Sequence, residues 1–326
     1  MLDTYSQALT SRVEDGNSTG PERHALLESP YGYTPNASLS TMFLAFFIIV
    51  TVLHLVQSIF YRRWFLLYTV VLSGLLEIAG WIGRVWSSHD VLQSNPYMIQ
   101  IVCTIIAPTP LLAANFVMFG RIIRRLGTTY SRLRPRLYTK IFFSCDIIAL
   151  VVQSVGGAIA SGDDKPQSTV DLGSNIMLGG IIFQLIIITC FCVLAYMFFR
   201  AHHEDRPVRS TGPEETPRGK IHGKIQLLIC AIGFNTALLF VRAIYRTAEL
   251  ADGFQGKIIT TEWPFLVFDA LFVLLATFTY NVFHVGRLME TEEEFMLELK
   301  GPKSHVSNSS QSDIPLTGKR WEFQQV

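Results

Sequence analysis

The chain predicts an all-α fold. It reads as a polytopic membrane protein, a bundle of seven transmembrane helices with the N-terminus outside and the C-terminus in the cytosol. Composition is the first ground: 16% of the 326 residues are charged and 49% are hydrophobic, whereas soluble domains carry about 25% charged residues. The second is a series of seven apolar runs, near residues 39–60, 65–86, 97–120, 141–160, 176–199, 225–245 and 264–283. Each is close to the ~20 residues that a helix needs to cross about 30 Å of hydrocarbon. The third is the placement of Lys and Arg. Of the 27, twenty fall after the first, third and fifth runs or in the C-terminal tail, four fall on the opposite side and three lie within runs. Positive charge stays in the cytosol, and this bias sets the orientation.

Residues 1–30 are polar and low in apolar content, the make-up of a disordered extracellular tail. They contain no apolar stretch of the signal-peptide kind, so the first run is expected to insert the chain. Asn17-Ser18-Thr19 fits the glycosylation acceptor pattern, and Asn17 is the expected modified residue. The membrane domain covers 31–287. Trp64, Trp86, Tyr97 and Trp263 stand at run ends, where aromatic belts form. Pro108 and Pro110 interrupt the third run and should kink or break it, leaving carbonyls for a neighbour to satisfy. Ser73, Gly74, Gly80 and Gly83 in run two read as close-packing contacts between helices, as do Gly156, Gly157, Gly179 and Gly180 in runs four and five. His54 and His284 are lone imidazoles and read as structural groups. The five cysteines all sit in apolar runs, as buried thiols do, and no disulfide is expected. Ala201–Gly223 is rich in Pro, Thr and charge and reads as a flexible linker; 288–326 reads as a largely disordered cytosolic tail. Both are expected contact points for cytosolic regulators.

The chemistry sits in the buried charges. Arg242, Arg246 and Glu249 are spaced i, i+4, i+7, on one face of a helix. Glu262 and Asp269 share a face of run seven, and Glu77 and Arg84 share one of run two. In the expected orientation all seven lie in the outer half of the membrane, where they can pair as a polar chamber opening outward. A charge inside a bilayer costs roughly 2.5–3.5 kcal/mol even on lenient scales, so it is normally paired or wet. Packing glue is the plainer reading, at about 0.6 kcal/mol per hydrogen bond. Three arginines and four carboxylates at one depth exceed what glue requires, which favours a hydrated site. Asp146, with Gln153 two turns along, lies apart in the inner half of run four; Gln100 is a further polar residue of run three.

These residues also resemble a known family, the fungal lipid-translocating exporters. The matching pieces span almost the whole membrane domain. They are Tyr31-Gly32-Tyr33-x-Pro35, Glu77-x-x-Gly80-x-x-Gly83-Arg84, Gln100, Ala107-Pro108 and Gly120-Arg121-Ile122-Ile123. Asp146, Gln153, Gly156-Gly157 and Gln184 follow, then Arg242-x-x-Tyr245-Arg246-x-x-Glu249, Gly253, Gly256, Glu262, Asp269 and Asn281-x-x-His284. Two positions depart from the pattern. Val285 stands where a Pro is expected, and Asn115-Phe116 replaces a small residue followed by Tyr. The resemblance implies movement of amphipathic lipids, typified by sphingoid long-chain bases, and resistance to toxic amphiphiles, with the plasma membrane as the expected home.

Other classes fit less well. Run three ends Phe119-Gly120-Arg121, and run seven lacks Asn-Pro-x-x-Tyr, which disfavours the familiar seven-helix receptors; a lipid sensor or regulator without transport stays open. Run seven has no lysine for a retinal Schiff base. His54 and His284 are too few for a zinc hydrolase. No phosphate loop of the G-x-x-x-x-G-K-[ST] kind occurs, so the chain alone is no ATP-driven pump. No enzyme activity, cofactor, metal or nucleic-acid partner is expected; membrane lipids and amphiphilic small molecules are.

Overall fold

Seven helices long and apolar enough to cross a membrane carry the architecture, and no strand occurs among the described residues. The computed structural model describes residues 31–160, 166–209, 216, 218–253 and 256–289. The N-terminal tail with Asn17 and the chain from residue 290 lie outside the described residues. The spans are Ala37–Phe60, Trp64–His89, Ser94–Leu126, Pro135–Ala160, Gln167–His203, Gly223–Ala251 and Glu262–Leu288. Most run past the apolar runs at one or both ends, because hydropathy falls before the helical hydrogen bonds do. Local signals then stop them. The Asn36 side chain accepts from Leu39 N–H to start span one, and Gly127, at φ +120°, ends span three.

Span three is the hub. Of its apolar window 67% is buried, against 28% for spans four and five. Phe116 and Phe119 from span three meet Phe191 of span five edge-on, with centroids 4.9 and 5.3 Å apart. Asn115, one of the two departures from the family pattern, ties three spans together. Its Nδ2 donates to Asn235 Oδ1 at 3.0 Å and Thr236 Oγ1 at 3.1 Å, and its Oδ1 accepts from Tyr280 OH.

Two irregularities shape the half of the bundle where span one begins, here the N-terminal half. Span three is two helices, Ser94–Ile106 and Pro108–Leu126, meeting at Ala107, as the two prolines require. Span seven has a π-helical turn over Phe265–Leu271, just after Pro264. Trp64, Trp86 and Trp263 are exposed at span ends, but Tyr97 is turned inward, 4.7 Å from the Tyr31 ring.

Spans four and five cross almost at backbone contact. A Cβ on Gly156 would stand 2.5 Å from Met177 N and 2.7 Å from Gly173 O, whereas one on Gly179 would meet nothing within 4 Å. Gly156→Leu is therefore expected to cost about 3 kcal/mol, the upper end for overpacking, and Gly179→Leu nothing measurable. Thermal unfolding of the two variants in detergent checks both.

The linker expected at 201–223 is not free where it is described. Val208 N–H donates to Thr129 O at 2.9 Å and Gly219 N–H to Leu126 O at 3.1 Å. Thr128 and Thr216 each donate a backbone N–H to the other's hydroxyl, and Arg218 pairs with Asp205 at 2.9 Å. Pro, Thr and charge here serve a docked strap, because the turn after span three supplies partners for its backbone.

Candidate functional site

The prolines that break span three also place an acceptor. In an unbroken helix the Thr104 carbonyl would accept from the N–H of residue 108, which is proline and has none. Arg242 Nη2 donates to that carbonyl at 2.8 Å. One turn along span six, Arg246 Nη2 lies 3.4 Å from the Thr104 hydroxyl. Both guanidiniums converge on Asp269, which the π-helical turn carries. Arg242 Nε is 2.5 Å from Asp269 Oδ1 and Arg246 Nε is 3.4 Å from the same oxygen. These are charge contacts rather than aligned hydrogen bonds, since both Nε atoms and Oδ1 lack hydrogen-bond geometry. Arg246 also pairs with Glu249 at 2.6 Å, and Tyr245 OH donates to the other Glu249 oxygen at 2.8 Å.

A second group lies nearer the N-terminal face. Arg84, 1% exposed, donates to Glu262 Oε1 at 2.8 Å, Tyr33 OH at 3.0 Å and Gln100 Oε1 at 3.3 Å. Glu262 Oε1 also accepts Asn36 N–H at 2.9 Å, which pins the entry of span one. The two groups share one phenyl ring: the Arg84 and Arg246 guanidinium carbons lie 4.8 and 5.8 Å from the Phe265 centroid. All seven candidate residues of the chamber are thus assembled. Glu77, 2% exposed, faces Asp269, Arg242 and Arg246 across the interior, yet among the described residues it forms no ion pair.

Tyr31 and Tyr33 were visible in sequence only as part of a family motif; no periodicity marks them, because they precede span one. Tyr31 OH lies 2.5 Å from Gln100 Oε1 and 3.1 Å from Ser87 Oγ, so Gln100 belongs to the Arg84 group. Burial pushes the Tyr31 phenol up to about 12, against the opposing pull of Ser87 and Arg84. The raised value means that the protonated phenol stabilises the fold. That contribution is whole below about pH 10, where a free tyrosine titrates, and is lost as pH climbs through about 12. In an ultraviolet titration, Tyr31→Phe is expected to remove one phenolate step near 12 rather than near 10.

Asp146 is less remote than its position in run four implied. Gln184 donates to Asp146 Oδ1 at 3.0 Å and Gln153 donates to Gln184 Oε1 at 3.1 Å. Gln153 and Gln184 in turn line a cavity of about 30 Å³ whose other wall includes Arg242 and Arg246. At about 10–15 Å³ per water, it has room for about two. Next along spans five and six lies a larger apolar cavity of about 410 Å³, lined by Phe119, Phe191, Phe199, Ile232 and Phe240 among others.

Residues 70–292 match the family described as RTA1 like protein, well over half of the chain. The chain belongs to the RTA1-like family. Among RTA1-like relatives in Saccharomyces cerevisiae, the protein named sphingoid long-chain base transporter RSB1 is 29% identical over 279 residues, covering 78% of this chain and 73% of its own. Protein RTA1 is 27% identical over 220 residues, 66% of this chain and 65% of its own. Protoporphyrin uptake protein 1 is 26% identical over 287 residues, 77% of this chain and 90% of its own. No solved structure matches. RTA1-like membership and seven apolar helices make the chain an integral membrane protein, and the names of these relatives point to transporter-type proteins rather than enzymes.

Proposed function

We propose that this RTA1-like protein moves cationic amphiphilic lipids of the sphingoid long-chain base type across the bilayer and so relieves toxic amphiphiles. The observation that carries the proposal is the charge tally of the buried site. Glu77, Glu249, Glu262 and Asp269 face Arg84, Arg242 and Arg246, four carboxylates against three guanidiniums, and Glu77 is the one left over. A single protonated amine completes the set. The apolar cavity further along spans five and six suits the hydrocarbon chain of the same molecule. The RSB1 relative, named a sphingoid long-chain base transporter, supports the substrate class.

In this reading the N-terminus is outside, the chamber opens to the exterior half of the membrane, and the plasma membrane is home. The charge bias of the loops supports that orientation. The strap formed by 201–209, 216 and 218–222, together with the tail beyond it, is where cytosolic regulators would act.

The deciding experiment reconstitutes the purified chain in vesicles and follows a labelled long-chain base between leaflets. Transfer faster than in empty vesicles is the expected result. Saturable binding without transfer would replace the transporter with a lipid sensor.

A further inference from the structure

Below Glu77 and Asp269, spans one, two and seven bury a series of polar atoms that have no hydrogen-bond partner. Ser73 Oγ, Thr51 Oγ1, His54 Nδ1, Ser58 Oγ, Asn281 Oδ1 and His284 Nε2 are all of this kind, on side chains between 0% and 6% exposed. Buried polar atoms are almost always hydrogen-bonded, and where protein supplies no partner, water does.

Helical rise orders these atoms along the bundle axis. At about 1.5 Å of rise per residue, Ser73 lies about 6 Å from Glu77 towards the C-terminal face, and Thr51 about 4.5 Å before His54. His54 is level with Thr277, whose carbonyl it contacts at 3.2 Å. Gln57 donates to Asn281 O at 3.2 Å, which fixes the next level, and His284 follows about one turn on. Steps of this size are ones that one or two waters would bridge, with hydrogen bonds near ~2.8 Å.

The two imidazoles are set in complementary forms. His54 Nε2 meets a carbonyl, which can only accept, so that nitrogen carries hydrogen and Nδ1 presents a bare lone pair. His284 Nδ1 accepts Gly286 N–H at 3.0 Å, which leaves its hydrogen on Nε2. Their ring centroids are 6.1 Å apart, and a water between the two nitrogens would accept from His284 and donate to His54. The titratable and charged groups facing this pair are each other, Tyr61, Arg63 and Arg287, with Glu77 and Asp269 further along the series.

We infer that spans one, two and seven hold a hydrated proton path from Glu77 to the C-terminal face, with His54 as its carrier, so that translocation exchanges a cationic amphiphile for protons. An N–H bond forms at His54 Nδ1 as an O–H bond of the arriving hydronium breaks, and that N–H bond breaks as an O–H bond forms on the next water; His284 orients that water. Glu77 then takes either the cationic head or a proton. The exchange rests on the proposed function, whereas the path itself does not.

The test uses the full chain in vesicles holding a pH dye and a fluorescent long-chain quaternary ammonium, which has no proton of its own to carry. With one-for-one exchange, a gradient of one pH unit should concentrate the probe about tenfold in the wild type. His54→Gln keeps a donor for the Thr277 carbonyl and removes the carrier; it should equilibrate the probe without concentrating it. If it does not fold, His284→Asn, which keeps an acceptor for Gly286 N–H, is expected to lose the accumulation likewise. Accumulation equal to wild type in the folded variant, or none in the wild type despite transfer, overturns the path. If the probe does not move at all, the proposed function falls, and proton entry under a potassium diffusion potential decides the path. Entry in the wild type that His54→Gln abolishes supports it; equal entry in both, or none in either, overturns it.

Discussion

Asp269→Asn is expected to unfold the N-terminal half of the bundle at temperatures where the wild type is intact. The carboxylate, its side chain 4% exposed, is the shared counter-charge of Arg242 and Arg246, themselves 9% and 12% exposed. The amide retains the volume and removes the charge, leaving two buried guanidiniums with Glu249 as the remaining bonded carboxylate. Breaking a buried pair from one side costs about 3–5 kcal/mol, a large part of the about 5–15 kcal/mol that holds a typical domain. Replacing both sides together behaves differently, because apolar groups of similar size need no counter-charge. Arg242→Met with Asp269→Leu is accordingly expected to recover most of the stability that Asp269→Asn loses. Thermal unfolding in detergent, with binding of a long-chain base measured alongside, reads both outcomes. A single variant that melts with the wild type would show that the cluster holds no charge worth compensating.

The distance between sequence and structure differs from residue to residue. Helical spacing alone put Arg242, Arg246 and Glu249 on one face; the structure pairs Arg246 with Glu249 and turns Arg242 onto Asp269. Spacing also gave Glu262 and Asp269 a common face, but not that they would serve different groups, one with Arg84 and one with Arg242. That division depends on the π-helical turn at Phe265–Leu271, which moves Asp269 around the helix axis and which no propensity announces. The prolines of span three were legible as a break. What fills the freed Thr104 carbonyl was not, because it requires knowing that span six lies beside span three. Asp146 illustrates the same limit: two glutamines on two helices connect it to the cavity wall, a path with no one-dimensional signature. Hydropathy read the 201–223 segment by composition, and composition says nothing of the carbonyls and hydroxyls of Leu126–Thr129 that bind it.

Glu77→Gln is expected to reduce long-chain-base transfer at least tenfold while leaving the fold as stable as before, and this pairing of outcomes separates a ligand site from helix glue. Glu249, Glu262 and Asp269 each hold a guanidinium in place, so replacing any of them confounds function with folding. Glu77 has no such partner among the described residues, and its amide analogue fits the same space. Removing an unpaired buried carboxylate relieves a desolvation penalty instead of creating one. If the carboxylate is the seat of a protonated amine, its loss removes a charge-assisted contact of about 1.5–3 kcal/mol, and at about 1.4 kcal/mol per decade that is tenfold or more in affinity. Transfer in reconstituted vesicles measures the first outcome and the melting temperature the second. Glu77→Gln protein that transfers at the wild-type rate removes the cationic-amphiphile reading, and one that transfers poorly because it no longer folds reduces Glu77 to a packing residue.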